Sequence, residues 1–592
     1  MLSLMTAPQA RSRNSAAGLY KIKAEMNTSR FSPLAAFVLS LVLVIPALSQ
    51  TPPPNDLSGS MGIYSVKSFG ALGDGTALDT TAISNTIRAA NSAGGGTVIF
   101  PAGRYRTGTF ELLSNVTLEL QPGAVIQGSR NIADYSEGVS VGFGKTYGVN
   151  SSGEGSKAGL IVARNAENVA IVGRGVIDGS GDYFFDFSKI HNSSDFDARY
   201  TRQRQDFNNP QYGSKFGPVE VGAQGRPGTM IVFSNCKNIL VRDVTLSNAP
   251  NWTLHLQGSE NAIISGLHVL NNVLLPNNDG VDCMRCRNVH ISDCDIRTGD
   301  DDFAIVGSDN IQVTNCSLNS SSAAVRLEDT RDSTFDNLSI HANRGLAIFG
   351  RGDEHTRHIL FSNITLQTHL ITGHWWGKAE PIYIAIRSGA GGDEISDIRF
   401  TNITAEAEGG IMILGAPDSI LRDLTLNRVK LRIIAPAPEI ARSVGGNFDL
   451  RWTATRLSDA IFSHDIPAIY CRRLDGLKIR GLDLSWGDNL PAYFSNAIDC
   501  EDFHNLDIAD FEGRQALPSS TAATLLLRDG DDVTIRDSRA STGAGLFLQM
   551  SEIKRERLFA GNDLSDAQQA FEPRNPHFVL FGNDMPGKKL GH

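Results

Sequence analysis

Aspartates are crowded into residues 277–305, with the sequence NNDGVDCMRCRNVHISDCDIRTGDDDFAI. Asp279 stands within an NNDG stretch, and Asp300 and Asp301 follow it 21 and 22 residues later. Like charges held close together raise the pKa of at least one carboxyl group, so that one group holds a proton while its neighbour is ionised. Such a pair can cleave a glycosidic bond, one group protonating the leaving oxygen while the other acts on water or on the sugar. The segment therefore predicts acid–base chemistry by carboxyl groups.

A repeated phrase surrounds these aspartates and must position them. It consists of a polar turn residue, alternating apolar residues, and then Asp, Asn or Ser, and it occurs at residues 238–243, 288–293, 310–315, 397–402 and 532–537. Intervals of 22 to 27 residues, with insertions, are typical of a solenoid, and the alternation indicates strands. We therefore predict an all-β fold, a single-stranded right-handed parallel β-helix. Because stacked strands lie ~4.8 Å apart, acids one coil apart would lie side by side.

The N-terminal residues predict export. An apolar run at residues 34–45 follows Arg30 and precedes a small-residue sequence, as in a secretory signal that is cleaved before Gln50. The alternative is a membrane anchor, but the run is shorter than the ~20 residues that span a bilayer. We interpret residues 1–49 as an upstream extension and signal peptide. The mature protein is expected to be secreted or periplasmic, monomeric and without membrane contact.

Residues 50–592 are predicted to form one parallel β-helix catalytic domain. A cap at about 61–110 carries a short helix near 81–93, coils run from about 111 to 565, and a tail follows at 566–592. Insertions at 183–225 and 367–381 break the rhythm and are candidates for binding. We expect the first insertion to close one end of the cleft, which would favour action at chain ends.

Charge and cysteine content exclude several classes of protein. Residues 50–592 hold 49 basic and 63 acidic residues, a net charge of −14, which argues against nucleic acid as a partner. The seven cysteines cannot all pair within one chain, although some disulfide remains open. Cys294 and Cys316, one repeat apart, are predicted to be buried thiols of neighbouring coils. Cys283 and Cys286 lack a second ligand pair, so no zinc site is expected.

These motifs resemble those of the polygalacturonase family, glycoside hydrolase family 28. The family pattern N-T-D-G-hydrophobic-D and G-D-D-C-hydrophobic-A-hydrophobic is matched by residues 277–282 (NNDGVD) and 299–305 (GDDDFAI). The resemblance covers about residues 62–430, and its supporting blocks are 68–75 (SFGALGDG), 100–105 (FPAGRY), Arg226–Pro227 and 247–255 (SNAPNWTLH). It implies hydrolysis of a pectic, galacturonate-containing polysaccharide or oligosaccharide.

Residue by residue, the resemblance makes Asp300 the general acid. Asp279 and Asp301 would hold and activate the water in a single displacement with inversion, which in general requires carboxyl groups ~6.5–9.5 Å apart. No metal or organic cofactor is implied. Since Asp300 and Asp301 are adjacent, a regular strand would point them to opposite faces. Both can reach one cleft only if they lie at a bend.

Two departures from the family concern the residues that bind substrate. The family usually has Gly-His-Gly about 21 residues after the Asp pair, whereas this chain has Ser322 within SSSAAVR at 320–326. The family's Arg-x-Lys pair is matched at 381–388 (PIYIAIRS) by Arg387 alone. Arg and Lys elsewhere are candidates for gripping a substrate carboxylate, and paired Trp residues can stack on a sugar ring. The predicted substrate-binding residues are Asn277, Arg326, Lys378, Arg387, Trp375 and Trp376.

Two other functions fit the same sequence. The first is a β-helix polysaccharide lyase, in which the acids would hold Ca²⁺ and an Arg or Lys would act as base. The second is a non-catalytic carbohydrate-binding solenoid, which the missing His and Arg-x-Lys make conceivable. Homogalacturonan, rhamnogalacturonan and xylogalacturonan all remain possible substrates, since a fold does not choose a substrate.

Overall fold

Short strands that pair in parallel from one coil to the next build the molecule. The computed structural model describes residues 62–136, 158–187, 219–220, 225–371, 377–387, 391–449, 466–518, 520–573 and 576–587. These residues belong to one compact unit, Asn55–His592. The predicted signal peptide lies outside them. Within the described residues, no helix has the length and apolar character needed to cross a membrane.

The strands form three parallel stacks, here called sheets 1, 2 and 3, and each coil contributes to them in turn. The strands of sheet 1 are Gly62–Ser65, Gly96–Phe100, Val116–Leu120, Glu167–Gly173, Lys237–Arg242, Glu260–Ser265, Arg287–Ser292, Glu556–Ala560 and Val579–Phe581. Those of sheet 2 are Asp74–Leu78, Gly103–Thr107, Ala124–Gly128, Val176–Asp178, Thr245–Ser247, His268–Leu270, Asp295–Thr298, Glu512–Gly513 and Arg539–Ala540. Those of sheet 3 are Phe110–Glu111, Ile161–Arg164, Ile231–Ser234, Leu254–Gln257, Val281–Met284, Phe303–Val306, Ile382–Ile386, Ile411–Leu414, Leu546–Ser551 and Gln569–Glu572.

Longer strands bend around the corners and serve two or three sheets at once. They are Asp309–Glu328, Arg331–Gly350, His355–Thr368, Glu394–Ala407, Ile420–Ile433, Ile469–Trp486, Ile498–Ala509 and Leu525–Arg536. One antiparallel pair, Phe185–Asp186 with Val219–Glu220, lies at the two ends of the 183–225 insertion. The predicted parallel β-helix is thus observed in the described coils, while its handedness stays a prediction.

Residues in the left-handed conformation turn the chain at the corners. Asn288 and Asp293, the first and last residues of one repeated phrase, have φ of 58° and 56°, and Asn310 and Asn315 of the next phrase both have 55°. Asn and Asp tolerate this region better than other residues with a side chain. The Asn and Asp at the phrase boundaries therefore mark where each coil bends.

A ladder of asparagine amides ties successive corners together. The amide nitrogen Nδ2 of Asn288 donates to Oδ1 of Asn261 at 3.0 Å, and that of Asn310 donates to Oδ1 of Asn288 at 2.9 Å. The same contact joins Asn168 to Asn115 and Asn238 to Asn168. Each amide both donates and accepts, so the ladder fixes the register of the coils.

The inward-facing residues of the sheets form a continuous apolar core. Phe335, Phe361 and Phe400 stack in consecutive coils with ring centroids 5.0 Å apart. All seven cysteines are buried and free, so no disulfide is formed. Cys294 and Cys316 lie in neighbouring coils, as predicted.

The predicted N-terminal helix is observed as α1, Thr80–Ser92. Ile83, Ile87 and Ala90 are buried at helical spacing and face the first strands of sheet 1. A second helix, α2, comprises Pro438–Val444. Single 3₁₀ turns occupy Val66–Phe69, Ile132–Asp134 and Gly181–Phe184.

The predicted end of the coils at residue 565 is wrong. Gln569–Glu572 pairs with Leu546–Ser551, and Val579–Phe581 pairs with Glu556–Ala560, so the solenoid continues into the presumed tail. These last strands are three and four residues long and lack the phrase that begins with Asn or Asp. Their apolar alternation is therefore too short to be recognised in the sequence.

The asparagine ladder makes a testable prediction about stability. Asn288→Ala should lower the free energy of unfolding by about 3 kcal/mol, because two amide hydrogen bonds are lost and Ala must adopt positive φ. Asn288→Gly loses the hydrogen bonds without the steric penalty and should cost about 2 kcal/mol. Chemical denaturation of the three proteins measures the order. Equal stability of the Ala and Gly variants would contradict the conformational part of the argument.

Candidate active site

The aspartates lie where the chain passes from sheet 2 to sheet 3. The strand Asp295–Thr298 of sheet 2 ends just before them, and Phe303–Val306 of sheet 3 begins just after them. Residues 299–302 form the turn between the two strands. The bend that the adjacent Asp300 and Asp301 require is therefore present, and both side chains reach the same pocket.

Parallel pairing brings the acids of two coils together. Val281 pairs with Phe303, so Asp279 and Asp301 hold the same position in consecutive coils. One carboxylate oxygen from each of Asp279, Asp300 and Asp301 lies within 4.8 Å of the other two. The structure thus unites the three residues that the sequence predicts as catalytic.

Two glycines and an asparagine let the coils approach so closely. A Cβ atom on Gly299 would lie 2.2 Å from the carbonyl oxygen of Leu275, and one on Gly280 would lie 2.5 Å from that of Asp302. The buried Asn278 accepts from the N–H of Gly299 at 2.6 Å. The glycine and asparagine positions of the motif therefore serve the packing that aligns the acids.

The loop before Asp279 is anchored by a buried arginine. Arg226 donates from Nη1 to the carbonyl oxygens of Pro250 and Pro276 at 2.9 and 3.0 Å, and from Nη2 to Oδ1 of Asn277 at 3.1 Å. The side chain of Asn277 is thereby held by protein. Its backbone N–H donates to Oδ2 of Asp300 at 3.2 Å. Asn277, which is predicted to contact substrate, thus contacts both Arg226 and Asp300.

Burial keeps Asp300 protonated near neutral pH. Desolvation, with the nearby charge of Asp301, raises the pKa of Asp300 to about 7, although Arg326, the N–H of Asn277 and the hydroxyl of Ser322 oppose the shift. Ser322 is fully buried and stands where the family usually has His. A serine hydroxyl thus occupies the neighbourhood of Asp300 and contributes no titrating ring.

Burial and the neighbouring groups act on the pKa of Asp301 in opposite directions. Burial raises its pKa, but Arg326, the N–H of Ala323 and Arg344 all counteract that rise. Nη1 of Arg326 lies 3.4 Å from Oδ2 of Asp301, and the Ala323 N–H donates to Oδ1 at 3.3 Å. Asp301 is therefore the member of the pair whose ionised form is stabilised by a direct ion pair with an arginine.

Further acids crowd the site. Burial and the neighbouring carboxylates raise the pKa of Asp279 well above its usual value, and burial and Asp301 do the same for Asp282. Asp282 is fully buried on the strand Val281–Met284, and neither of its carboxylate oxygens makes a hydrogen bond. Asp302 instead turns to Thr298, whose Oγ1 lies 2.8 Å from Oδ1 of Asp302. Burial favours the protonated forms of these carboxyl groups.

The predicted substrate-binding residues are only partly brought together. Arg326 lies beside Asp301, but Nε of Arg326 donates to Glu328 at 2.8 Å. Lys378 is buried, not on an exposed loop, and lies three coils beyond Gly299, which places it ~14 Å along the axis. Arg387 follows the far end of Ile382–Ile386 and is exposed, so the structure does not bring it beside the acids. Trp375 and Trp376 lie outside the described residues.

A buried ion-pair network that the sequence did not predict adjoins the acids. Arg344 lies 2.8 Å from Asp449 and 3.5 Å from Glu380, and its guanidinium stacks over Tyr383 at 3.9 Å. Asp449 is 105 residues from Arg344 in the sequence, and no repeat links the two. In the sequence, only the position of Arg344 at a turn of the coil points to this network.

Part of the chain matches a known protein family. Residues 131–321 match the family model Glycosyl hydrolases family 28, and they include all three predicted catalytic aspartates. This part of the chain is therefore similar to glycoside hydrolase family 28.

Relatives share parts of the chain. It is 30% identical over 248 residues to a "Probable polygalacturonase" of Vitis vinifera, across 41% of this chain and 43% of the relative. It is 27% identical over 261 residues to the "Exo-poly-alpha-D-galacturonosidase" of Dickeya chrysanthemi, across 40% of this chain and 41% of the relative. The chain thus matches less than half the length of either relative.

A solved structure agrees in fold. The Yersinia enterocolitica Family 28 Exopolygalacturonase superposes with a TM-score of 0.53 and 17% identity, over 74% of this chain and 78% of that chain. At this identity the likeness concerns the fold alone. It agrees with the parallel coils described above.

The buried, unpaired Asp282 predicts a stability that depends on pH. Its raised pKa means that the folded state binds a proton that the unfolded state releases at neutral pH, so stability falls as pH rises above the unfolded pKa of ~3.9. Asp282→Asn should therefore raise the melting temperature at pH 7 and change it little at pH 4. Asp295→Asn, at an exposed position of the same coil, is the control and should have little effect at either pH. An equal gain at both pH values for Asp282→Asn would contradict the proton linkage.

Proposed function

We propose that this protein hydrolyses glycosidic bonds of a galacturonate-containing, pectic polysaccharide or its fragments. The observation that carries the proposal is the trio Asp279, Asp300 and Asp301, which are buried and have one carboxylate oxygen each within 4.8 Å of the other two. A protonated and an ionised carboxyl group side by side are the two partners that glycoside hydrolysis needs.

Asp300 is the general acid in this proposal. Its pKa of about 7 keeps a proton on the carboxyl group at mildly acidic pH, and the contacts from Asn277 and Ser322 orient it. It would donate that proton to the glycosidic oxygen as the bond to the anomeric carbon breaks. General acid catalysis of this kind accelerates a reaction by roughly 10²–10⁴-fold.

Asp279 and Asp301 hold the water in this proposal. A water molecule with two hydrogen bonds of ~2.8 Å can bridge oxygens up to ~5.6 Å apart, so oxygens within 4.8 Å can share one. The ionised Asp301 would take a proton from that water as it attacks the anomeric carbon. The resemblance to the family favours inversion, whereas the 4.8 Å spacing is below the ~6.5–9.5 Å common for inverting enzymes.

The substrate class rests on the relatives. Two of them are named for polygalacturonase and exo-poly-galacturonosidase activity. By analogy we propose a pectic substrate and cleavage at chain ends. The apolar run at 34–45 supports our further proposal that the protein is secreted or periplasmic.

A calcium-dependent lyase is the second candidate, because three carboxylates this close together also suit a hard cation. It differs from the hydrolase in its product. A lyase leaves a 4,5-unsaturated sugar and stops when calcium is removed.

Product analysis tests the reaction. Proton NMR of the first products from a panel of pectic polysaccharides should show saturated sugars with inverted anomeric configuration, formed equally with and without chelator. Retention would assign a nucleophilic role to one of the water-holding aspartates. An unsaturated product that disappears on chelation would replace the hydrolase by the lyase.

Replacing the general acid tests the assignment of roles. Asp300→Asn removes the proton donor at almost constant volume and should lower kcat by roughly 10²–10⁴-fold. Asp295→Asn on the same coil is the matched control and should retain activity. If the wild type releases no product from a pectic polymer, and both variants bind that polymer equally well, the protein is a non-catalytic solenoid.

The pKa of Asp300 predicts the alkaline limb of the pH profile. Because the acid must be protonated to work, kcat/KM should fall as pH rises through about 7. The profile is measured with initial rates while circular dichroism confirms that the protein stays folded. An activity that stays constant to pH 9 would exclude Asp300 as the acid.

A further inference from the structure

Arg326 is held from behind by a buried glutamate. Glu328 lies two residues further along the same strand and is fully buried. One of its oxygens, Oε1, accepts from Nε of Arg326 at 2.8 Å and from Nη2 at 2.5 Å. Nη2 of Arg351 approaches the same oxygen at 2.9 Å. Two guanidinium groups therefore converge on a single carboxylate.

This contact uses the edge of Arg326 that would otherwise grip a substrate carboxylate. Bidentate recognition of a carboxylate requires two parallel N–H groups of the guanidinium. The Nε–Nη2 edge of Arg326 faces Glu328, and Nη1 lies 3.4 Å from Asp301. The direction of the guanidinium is thus set by protein groups on both sides.

We propose that Glu328, supported by Arg351, is a positioning residue that holds Arg326 against Asp301 and so keeps the water-activating carboxylate oriented. The proposal rests on the proposed function of the same site. Glu328 contacts neither of the acids directly and acts through Arg326. It is not a catalytic residue.

The charges along this path alternate. Asp301, Arg326, Glu328 and Arg351 follow one another, and Glu354 lies at the end, where burial and the charge of Glu328 raise the pKa of Glu354 to about 8. The other charged or titratable groups that act on the acid pair are Asp279, Asp282, Asp302 and Arg344. Removing the negative charge of Glu328 would leave Arg326 less neutralised. The electrostatic field at Asp300 and Asp301 would then favour their ionised forms.

Glu328→Gln tests the proposal through kcat, KM and the pH profile. A Gln side chain can keep a carbonyl oxygen at the position of Oε1, but it removes the negative charge and places an amide N–H₂ beside it, so the hold on Arg326 should weaken. We expect kcat to fall by about tenfold to a hundredfold and KM to stay within about twofold. The alkaline limb near pH 7 should move to lower pH by on the order of one unit.

Glu501→Gln is the matched control. Glu501 occupies the same row of sheet 3, several coils away, and also lies between two arginines, 3.7 Å from Arg472 and 3.5 Å from Arg528. The variant removes a negative charge between two arginines at the same position of the coil, although the Glu501 side chain is 29% exposed and its ion pairs are longer. Its kcat, KM and pH profile should match those of the wild type.

Glu328→Asp separates charge from geometry and remains informative if Glu328→Gln does not fold. The shorter side chain keeps the negative charge but cannot reach both nitrogens of Arg326. We expect kcat to fall while the alkaline limb stays near pH 7. A wild-type kcat, or a limb displaced as far as in Glu328→Gln, would overturn the proposal.

The outcomes distinguish this inference from the function it rests on. If Asp300→Asn is inactive and folded Glu328→Gln shows wild-type kinetics and pH profile, the positioning role fails and the hydrolase stands. If Asp300→Asn keeps its activity, the proposed function fails. If Glu501→Gln reproduces the changes of Glu328→Gln, the effect is a general loss of stability and the positioning role is overturned.

Discussion

The parallel hydrogen bonds between coils determine where every functional side chain lies. They align Asp279 with Asp301 and place Asp300 beside them, although 21 residues separate Asp279 from Asp300. Each acid precedes a strand of sheet 3, and the pairing of these strands places the acids side by side. The alignment also depends on the turn at residues 299–302 and on the loop that Arg226 anchors. Gly280 and Gly299 permit it because they have no Cβ atom where the packing leaves no room for one.

The same alignment creates the electrostatic problem that the site must solve. Buried carboxylates within 4.8 Å of one another cannot all be ionised. Protonation of Asp300 relieves part of the repulsion and would supply the acid of the proposed reaction, while Arg326 stabilises the charge that remains on Asp301. Asp282 and Asp302 add further buried carboxyl groups, whose pKa values burial raises as well. The stability lost to this crowding is offset by the coils on either side, since each coil is held by its neighbours along the whole stack.

How far the sequence predicts this structure depends on whether a feature repeats. The Asn and Asp that open and close each phrase adopt positive φ at the corners, so the phrase predicted the coils and their spacing. The spacing of the acids predicted the site for the same reason. Features without a repeat were missed: the last two coils, the contact of Arg344 with Asp449 across 105 residues, and the burial of Lys378. Arg387 lies away from the acids because it follows the far end of its strand, a position that the count of residues does not reveal. Tertiary contacts between an outward-facing residue and a distant segment leave no pattern along the chain.

The family match ends at residue 321, and this boundary separates two kinds of residue in the site. The three aspartates lie before it, whereas Ser322, Arg326, Glu328, Arg344 and Arg351 lie after it. The acids of the proposed reaction therefore lie in the matched part of the chain, whereas the charged groups that contact them lie after it. In a solenoid this division is physically simple, because a coil can change its outward-facing side chains while its inward-facing residues keep the stack intact. Ser322 stands in place of the family's His, and Arg326 is bound to Glu328. Changes of this kind alter how a substrate is held. The three carboxyl groups meanwhile stay where the coil repeat puts them.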